Sequence, residues 1–415
     1  MNGPKLNWHT AVKLRLLPAV VIFLALLMVA RAGPAHIIGS SPLAAAFTSV
    51  HPDVNERILI RALEQIRQQQ FGQARATLEG LLADTPKFKL AQMVYGDLLM
   101  AMASPLKKVG QGNILPEQTR RALVDEMQQR WHHYIRDEQD IIPAYLLELD
   151  GTHRYVIVVD VAASRLYLYK NEGEQLALIK DFYASVGLKG AHKLRQGDQK
   201  TPLGVYFVNE YLSPDELPDL YGAGAFPIDY PNEWDRRQGK TGYGIWLHGT
   251  PSYTFSRPPR ASDGCVTLSN QDFITLSSFI EVGRTPVIIA DGVEWLKPDV
   301  VAQRRLQARS MLEQWKKDWE SLDIDRYLQH YSKDFTSDDR DYKAWAENAR
   351  LAYSDARDVH INLRNLSIFA YPEENLVIAT FVQEYNSDNI HLQKQKKQYW
   401  RKEGGSWKIV YEGSV

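Results

Sequence analysis

Two residues carry the means for nucleophilic chemistry: a lone cysteine and a histidine 17 positions before it. Cys265 is the single cysteine among 415 residues and sits in ASDGCVTLSN, residues 261–270. A structural cysteine acts as a small apolar filler, but this one follows Ser262, Asp263 and Gly264. His248 closes the strand-like stretch GIWLHGTP (244–251), and the excursion SYTFSRPPRASDG separates the two. A loop thiol and a strand-end imidazole that meet in space make a nucleophile and its base. Downstream, SNQDFITLSSFIEVG (269–283) has the signature of a helix start, with Ser269 as N-cap and Asp272 three residues on. Cys265 would then lie ahead of a positive helix end, which favours thiolate. Gly264 admits close backbone approach, so N–H groups around 264–266 are candidates to hold an oxyanion.

β structure must position these groups. RYVIVVDVAASRLYLYKNEGEQLALIKDFYASVG (154–187) is rich in β-branched and aromatic residues, and NEGE (171–174) reads as a hairpin turn. GVYFVNEY (204–211), YGIWLH (243–248) and TPVIIA (285–290) read as further strands. The β-rich stretch is expected over 152–293. Before it, 51–148 reads as helical: Ile58, Leu59, Ala62, Leu63 and Ile66 share one face. Within it, FGQARATLEGLLADTP (71–86) resembles half of a tetratricopeptide unit through Phe71, Ala74, Leu78, Leu82 and Pro86. After it, 304–415 opens on LEQWKKDWESLDIDRYLQHYSKDF (312–335), with Leu312, Trp315, Trp319 and Leu322 on one helical face. Two helices followed by long strands make this last part a small α+β domain.

The N-terminus has a different character. Lys5, Lys13 and Arg15 precede the uncharged run LLPAVVIFLALLMVA (16–30), and small residues follow in ARA (30–32). This is the layout of an export signal or a single-pass anchor over 1–35, with an Ala-, Gly-, Pro- and Ser-rich linker at 33–50. Either form sends the bulk of the chain into the periplasm or cell envelope, and the anchored form ties it to the inner membrane. Exported cysteines normally pair; a lone one is incidental, paired with another molecule, or kept for chemistry. The net charge of −1 gives no global field for nucleic acid, and QKQKK (393–397) reads as a solvated strand or turn. His132 and His133 are adjacent without a Cys or His cluster, and no Gly-rich phosphate loop occurs, so no metal or other cofactor is expected.

The order of motifs adds a resemblance. IWLHGT followed by ASDGCVTLSN resembles the signature of the L,D-transpeptidase catalytic domain (YkuD) family. TPLGVY (201–206), VVDVAASRLYLY (158–169), YASVG and FPIDYPNEWDRRQGKTGYGIWLHG are similar to its other elements, over roughly 154–291. The resemblance implies a β-rich fold acting on peptidoglycan stem peptides. Cys265 would attack the carbonyl of the diaminopimelate residue at stem position three and expel D-Ala. The acyl group then passes to a neighbouring stem, to a protein lysine, or to water, the last making a hydrolase. His248 would move the proton. Gly264, Ser262 and Gly249 are carried over as oxyanion or accessory positions, and a backbone carbonyl is expected to orient the imidazole. Two positions depart from the family: Asp263 where histidine is frequent, and Thr267 where an arginine positions substrate. Arg257 or Arg260 on the preceding loop are candidates to supply that charge, with Thr267 also counted as a substrate-binding position. The last domain resembles nuclear-transport-factor-2-like cones, which implies binding of wall or envelope partners, as for the helical region. A non-catalytic wall-binding scaffold is the competing reading.

Overall fold

The computed structural model describes residues 53–135, 140–338, 340–355, 357–388 and 390–414. The signal or anchor expected over 1–35 lies outside the described residues. No described helix is long and apolar enough to cross a membrane. Over 54–414 the chain divides into two units, 54–134 and 135–414.

The first unit is four helices: α1 (Val54–Arg67), α2 (Phe71–Asp84), α3 (Lys89–Ala103) and α4 (Glu117–Tyr134). Leu59, Ala62, Leu63 and Ile66 form the buried stripe of α1, as the helical period requires. Ala74, Leu78 and Leu81 do the same for α2. Buried Arg130 pairs with Glu56 and Glu126, each at 2.9 Å, so its fork is shared between two helices. The helical region ends at Tyr134 and does not continue to 148. Residues 142–148 instead form two short strands of the second unit.

Those strands are β1 (Ile142–Pro143) and β2 (Leu146–Glu148). Next come β3 (Tyr155–Asp160), β4 (Arg165–Asn171), β5 (Leu176–Tyr183), β6 (Val186–Gly187), β7 (Gly204–Phe207) and β8 (Ala225–Pro227). The short helix α5 (Glu233–Arg237) leads to β9 (Trp246–His248), β10 (Arg260–Ser262) and β11 (Val266–Thr267). Helix α6 (Asn270–Ser277) then precedes β12 (Pro286–Ala290) and β13 (Trp295–Leu296). The turn between β4 and β5 falls on Glu172–Gln175, where Gly173 takes φ +86°.

The last part begins with α7 (Pro298–Glu320) and α8 (Ile324–Leu328), then β14 (Tyr331–Ser337) and α9 (Tyr342–Asp355). Four long strands complete it: β15 (His360–Ala370), β16 (Leu376–Ser387), β17 (Ile390–Glu403) and β18 (Ser406–Ser414). Sequence reading anticipated two helices ahead of the strands; α9 and β14 are additional. In α9, Tyr342, Trp345, Ala346, Ala349 and Tyr353 pack on the core at helical spacing.

The second unit is layered. A five-stranded sheet in the order β5–β4–β3–β12–β7 lies between two cores. On one face Ile157, Val159, Leu166, Leu168, Val287 and Ile289 meet Phe226, Leu247, Val266, Phe273 and Leu276. On the other, Val156, Val158, Tyr167, Tyr169 and Ile288 meet Phe369, Tyr371, Ile378, Tyr399 and Val410. Burial on both faces is why YVIVVD and PVIIA read as unbroken apolar runs rather than alternating ones. The second sheet has six strands, β14–β18–β17–β16–β15–β2. Its far face packs Trp315, Tyr327, Phe381 and Trp400 beneath the helices. Strand β2 joins the edge of this sheet antiparallel to β15, and β1 pairs with β13. The segment before β3 is therefore stitched into the last part of the chain.

Candidate active site

A small sheet, β11–β9–β8, carries the predicted pair. Strand β9 runs parallel to β11 with Leu247 opposite Val266 and His248 opposite Thr267. Cys265, the residue before β11, is thereby drawn alongside the strand that ends in His248. The register closes the gap of 17 residues. On its other side β9 pairs antiparallel with β8, with Ala225 opposite His248.

His248 is 2% exposed. Its Nδ1 lies 2.7 Å from the Gly249 carbonyl, the orienting group expected. A carbonyl only accepts, so Nδ1 carries the hydrogen and Nε2 keeps its lone pair. Burial, with the Arg257 charge adding to it, pushes the imidazole down to about 4 against the opposing Gly249 bond. His248 is thus a neutral base at pH 7. Its Nε2 stands 3.2 Å from the Thr267 hydroxyl. The ring of Tyr221 packs edge-on against the imidazole at 5.1 Å and against Trp246 at 4.7 Å.

Two expectations for Cys265 require correction. Its Sγ donates to the Gly244 carbonyl at 3.4 Å, and the imidazole Nε2 is engaged by Thr267 instead of the thiol. Nor is the thiol acidic. Cys265 as a whole is only half-buried, yet the crowding around Sγ pushes it up to about 11. Burial is the largest cause and Asp263 adds to it, while the Trp246 backbone N–H and the Arg257 and Lys193 charges oppose it. Helix α6 does start as read, with Ser269 accepting from the Asp272 N–H at 3.1 Å. The residues from Val266 to Ser269 stand between that helix and the thiol, and the helix-end field fades within a turn. Desolvation wins. In this state both partners are neutral.

The oxyanion assignment also narrows. The Gly264 N–H donates to Ser262 Oγ at 3.1 Å, so Gly264 does not offer it to substrate. Ser262 donates in turn to the Cys265 carbonyl at 2.6 Å, which makes it a tie within the loop. Gly264 is required for shape: it has φ +126°, and a Cβ there would stand 2.5 Å from the Lys200 carbonyl. The Cys265 N–H meets no acceptor among the described residues and remains the oxyanion candidate. Gly249 is equally constrained, since its Cβ would fall 2.2 Å from Asn270 Oδ1.

The remaining predicted residues separate. Arg257 acts on both His248 and Cys265, and its guanidinium is held by the Ala261 carbonyl. Arg260 is exposed, its guanidinium about Gly190. Thr267 is 2% exposed and bonded to His248, so it is no open substrate contact. Asp263 is exposed and accepts from Gln199 at 3.0 Å.

Sequence reasoning missed two positions. Asn270, first in α6, accepts from the N–H groups of Ala223 (2.9 Å) and Thr250 (3.0 Å) and donates to the Thr250 carbonyl (2.8 Å). It clamps the chain just after His248–Gly249. Thr201 donates to the Gly264 carbonyl at 3.0 Å and accepts from the Gly187 N–H at 2.9 Å. Its only signal was its place in TPLGVY. Far from any motif, His192 lies between Asp291 and Glu373, with one ring nitrogen 3.7 Å from each carboxylate. Each of the three residues brings one ligand atom to within 4.8 Å of the others, in a mostly exposed cluster.

Residues 154–289 match the L,D-transpeptidase catalytic domain (YkuD), and 307–413 match the Cds6 C-terminal NTF2-like domain. YafK of Escherichia coli K12, named as a candidate L,D-transpeptidase, is 32% identical over 139 residues, which are 33% of this chain and 50% of that protein. The chain thus spans about half the length of the curated relatives it matches, 50% in each. The structure of Bd1075 from Bdellovibrio bacteriovorus is similar at 32% identity and a TM-score of 0.60, covering 66% of this chain and 98% of that one. Pgp2, the helical cell shape determining protein of Campylobacter jejuni, shares the fold at 24% identity and a TM-score of 0.54, covering 69% of this chain and 99% of its own.

Proposed function

Because residues 154–289 match the L,D-transpeptidase catalytic domain (YkuD) and residues 307–413 a Cds6-type NTF2-like domain, we propose that the chain is an exported cysteine acyltransferase of peptidoglycan stem peptides. The observation that carries this reading is the parallel register of β9 and β11. It sets the only thiol of the chain beside a buried imidazole whose Nδ1 is pinned and whose Nε2 keeps its lone pair.

In the proposed reaction Sγ attacks the carbonyl carbon of the diaminopimelate residue at stem position three. The thiol proton passes to His248 Nε2 as the Thr267 hydroxyl turns aside. The carbonyl oxygen becomes an oxyanion that accepts from the Cys265 N–H. Collapse breaks the C–N bond to D-Ala, and its amine leaves with the proton from Nε2. An acceptor amine then attacks the thioester, gives its proton to Nε2 and releases the thiol. A neighbouring stem as acceptor yields a 3–3 cross-link. The loop from 250 to 263 supplies Arg257 as the positive charge that Thr267 does not provide. Action on the wall requires the catalytic domain outside the inner membrane, in keeping with the basic and apolar start of the chain.

The test is intact-protein mass after incubating the full chain with purified disaccharide tetrapeptide, beside Cys265→Ala, with the soluble products separated from the same tubes. A transient adduct, D-Ala release and a dimeric 3–3 product, all lost in the variant, are expected. Tripeptide as sole product would move the assignment to hydrolysis. No adduct and no turnover would overturn the catalytic reading in favour of a wall-binding scaffold.

A further inference from the structure

A tyrosine of the C-terminal domain reaches into the catalytic domain behind the nucleophile. Tyr371, just beyond β15 and 3% exposed, donates its hydroxyl to the Leu203 carbonyl at 3.1 Å. Tyr206 donates to the same carbonyl at 2.9 Å, so both of its lone pairs are used. Gly204 lies directly beneath: a Cβ there would stand 2.6 Å from the Tyr371 hydroxyl and 2.9 Å from that of Tyr206. Leu203 is joined to Thr201 through Pro202, whose ring fixes φ and stiffens the span. Thr201 is fully buried, and its hydroxyl holds the Gly264 carbonyl at 3.0 Å.

That carbonyl belongs to the peptide unit whose N–H is that of Cys265. In a trans peptide the C=O and N–H point in opposite directions. Anchoring the oxygen on Thr201 therefore aims the Cys265 N–H away from the packed interior, where no acceptor among the described residues meets it. Tyr371, Leu203, Thr201 and Gly264 are all buried, so the anchored side of the peptide plane has little freedom to tilt.

We propose that Tyr371 is a positioning residue for acyl transfer: through Leu203 and Thr201 it holds the Gly264–Cys265 peptide in the orientation that presents the Cys265 N–H to the oxyanion. The inference rests on the acyl-transfer reading above. It makes the C-terminal domain part of the catalytic apparatus as well as a neighbour of it. Tyr206 still holds Leu203 when Tyr371 is altered, so the expected effect is smaller than deleting an oxyanion donor, which costs roughly 100- to 1,000-fold.

The test uses the full chain as wild type, Tyr371→Phe, Thr201→Val, Thr201→Ser and the Tyr371→Phe/Thr201→Val pair. Two rates are read: D-Ala release from disaccharide tetrapeptide, resolved into kcat and KM, and alkylation of Cys265 by iodoacetamide. Alkylation forms an S–C bond and expels iodide without an oxyanion, so it reports on the thiol alone. Tyr371→Phe keeps the ring and its packing; its kcat is expected to fall about five- to tenfold with KM and alkylation unchanged. Thr201→Val falls further, Thr201→Ser restores most of the rate, and the pair is no worse than Thr201→Val. Wild-type kcat in Tyr371→Phe would overturn the proposal. So would losses that multiply in the pair, or alkylation falling in step with kcat. A wild type that neither releases D-Ala nor forms an adduct overturns the parent reading, and the proposal with it.

Discussion

Cys265 and His248 are both neutral at pH 7, for one reason: the charged form of either would sit among atoms that cannot solvate it. Two pH dependences follow. The thiol stands at about 11, so its alkylation rate should climb about tenfold per pH unit through neutrality and level off only near that value. An unperturbed thiol would level off near pH 8.5 to 9. A stopped pH series with iodoacetamide reads this directly. For His248 the folded value of about 4 lies below the ordinary 6.5. The unfolded chain therefore binds the extra proton between these values. Stability from this group is complete above pH 6.5 and is lost as pH falls toward 4, by about 3 kcal/mol in all. Denaturant melts at pH 7 and 4.5 should show that loss in the wild type. His248→Gln, which does not titrate, should lack it.

Among the elements, the start of α6 serves two purposes: Ser269 caps the helix and Asn270 turns back to hold the loop behind His248. Asn270→Ala would leave the N–H groups of Ala223 and Thr250 without their shared acceptor. Each unmet buried group costs about 1–3 kcal/mol. A comparable fall in stability is expected by denaturant titration, with a lower kcat because the Gly249 carbonyl that pins the imidazole loses its support. The strands themselves were legible, since YVIVVD and PVIIA could hardly be anything but doubly buried. The periodic signal of α9, in YKAWAENARLAYSD, was also present in the chain. What spacing could not supply is register. The bond between Thr267 and His248, and the clamps made by Asn270 and Thr201, join residues brought opposite one another only by strand pairing.

For the larger unit as a whole, the five-stranded sheet is covered on both faces: the C-terminal sheet lies against the side opposite the core that holds Leu247 and Val266. Cutting the chain after Lys297 would expose Val156, Val158, Tyr167 and Ile288 together. The truncated protein is expected to aggregate or bind a hydrophobic dye, measured by sedimentation and fluorescence. Trp234 offers a milder test. It is buried, stacks on Tyr399 at 5.5 Å, and its indole N–H donates to Glu374. Trp234→Ala should cost about 3–5 kcal/mol, seen as a lower melting temperature without loss of either domain's secondary structure. Polar ties between Lys397 and Glu233 lie on the same side.

The sequence alone determined the candidate pair Cys265 and His248, the β-rich character of the domain that holds them and the α+β character of the last domain. Those rest on residue type and local period, which are written along the chain. Tertiary structure decided the rest. It reversed the expected acidity of Cys265, because burial is a property of the packed surroundings and outweighed a helix end visible in the sequence. It removed the Gly264 N–H from the oxyanion candidates, because Ser262 folds back onto it. It also set a tyrosine 106 positions beyond the cysteine behind the Gly264–Cys265 peptide, a contact that exists only when two sheets close on one core.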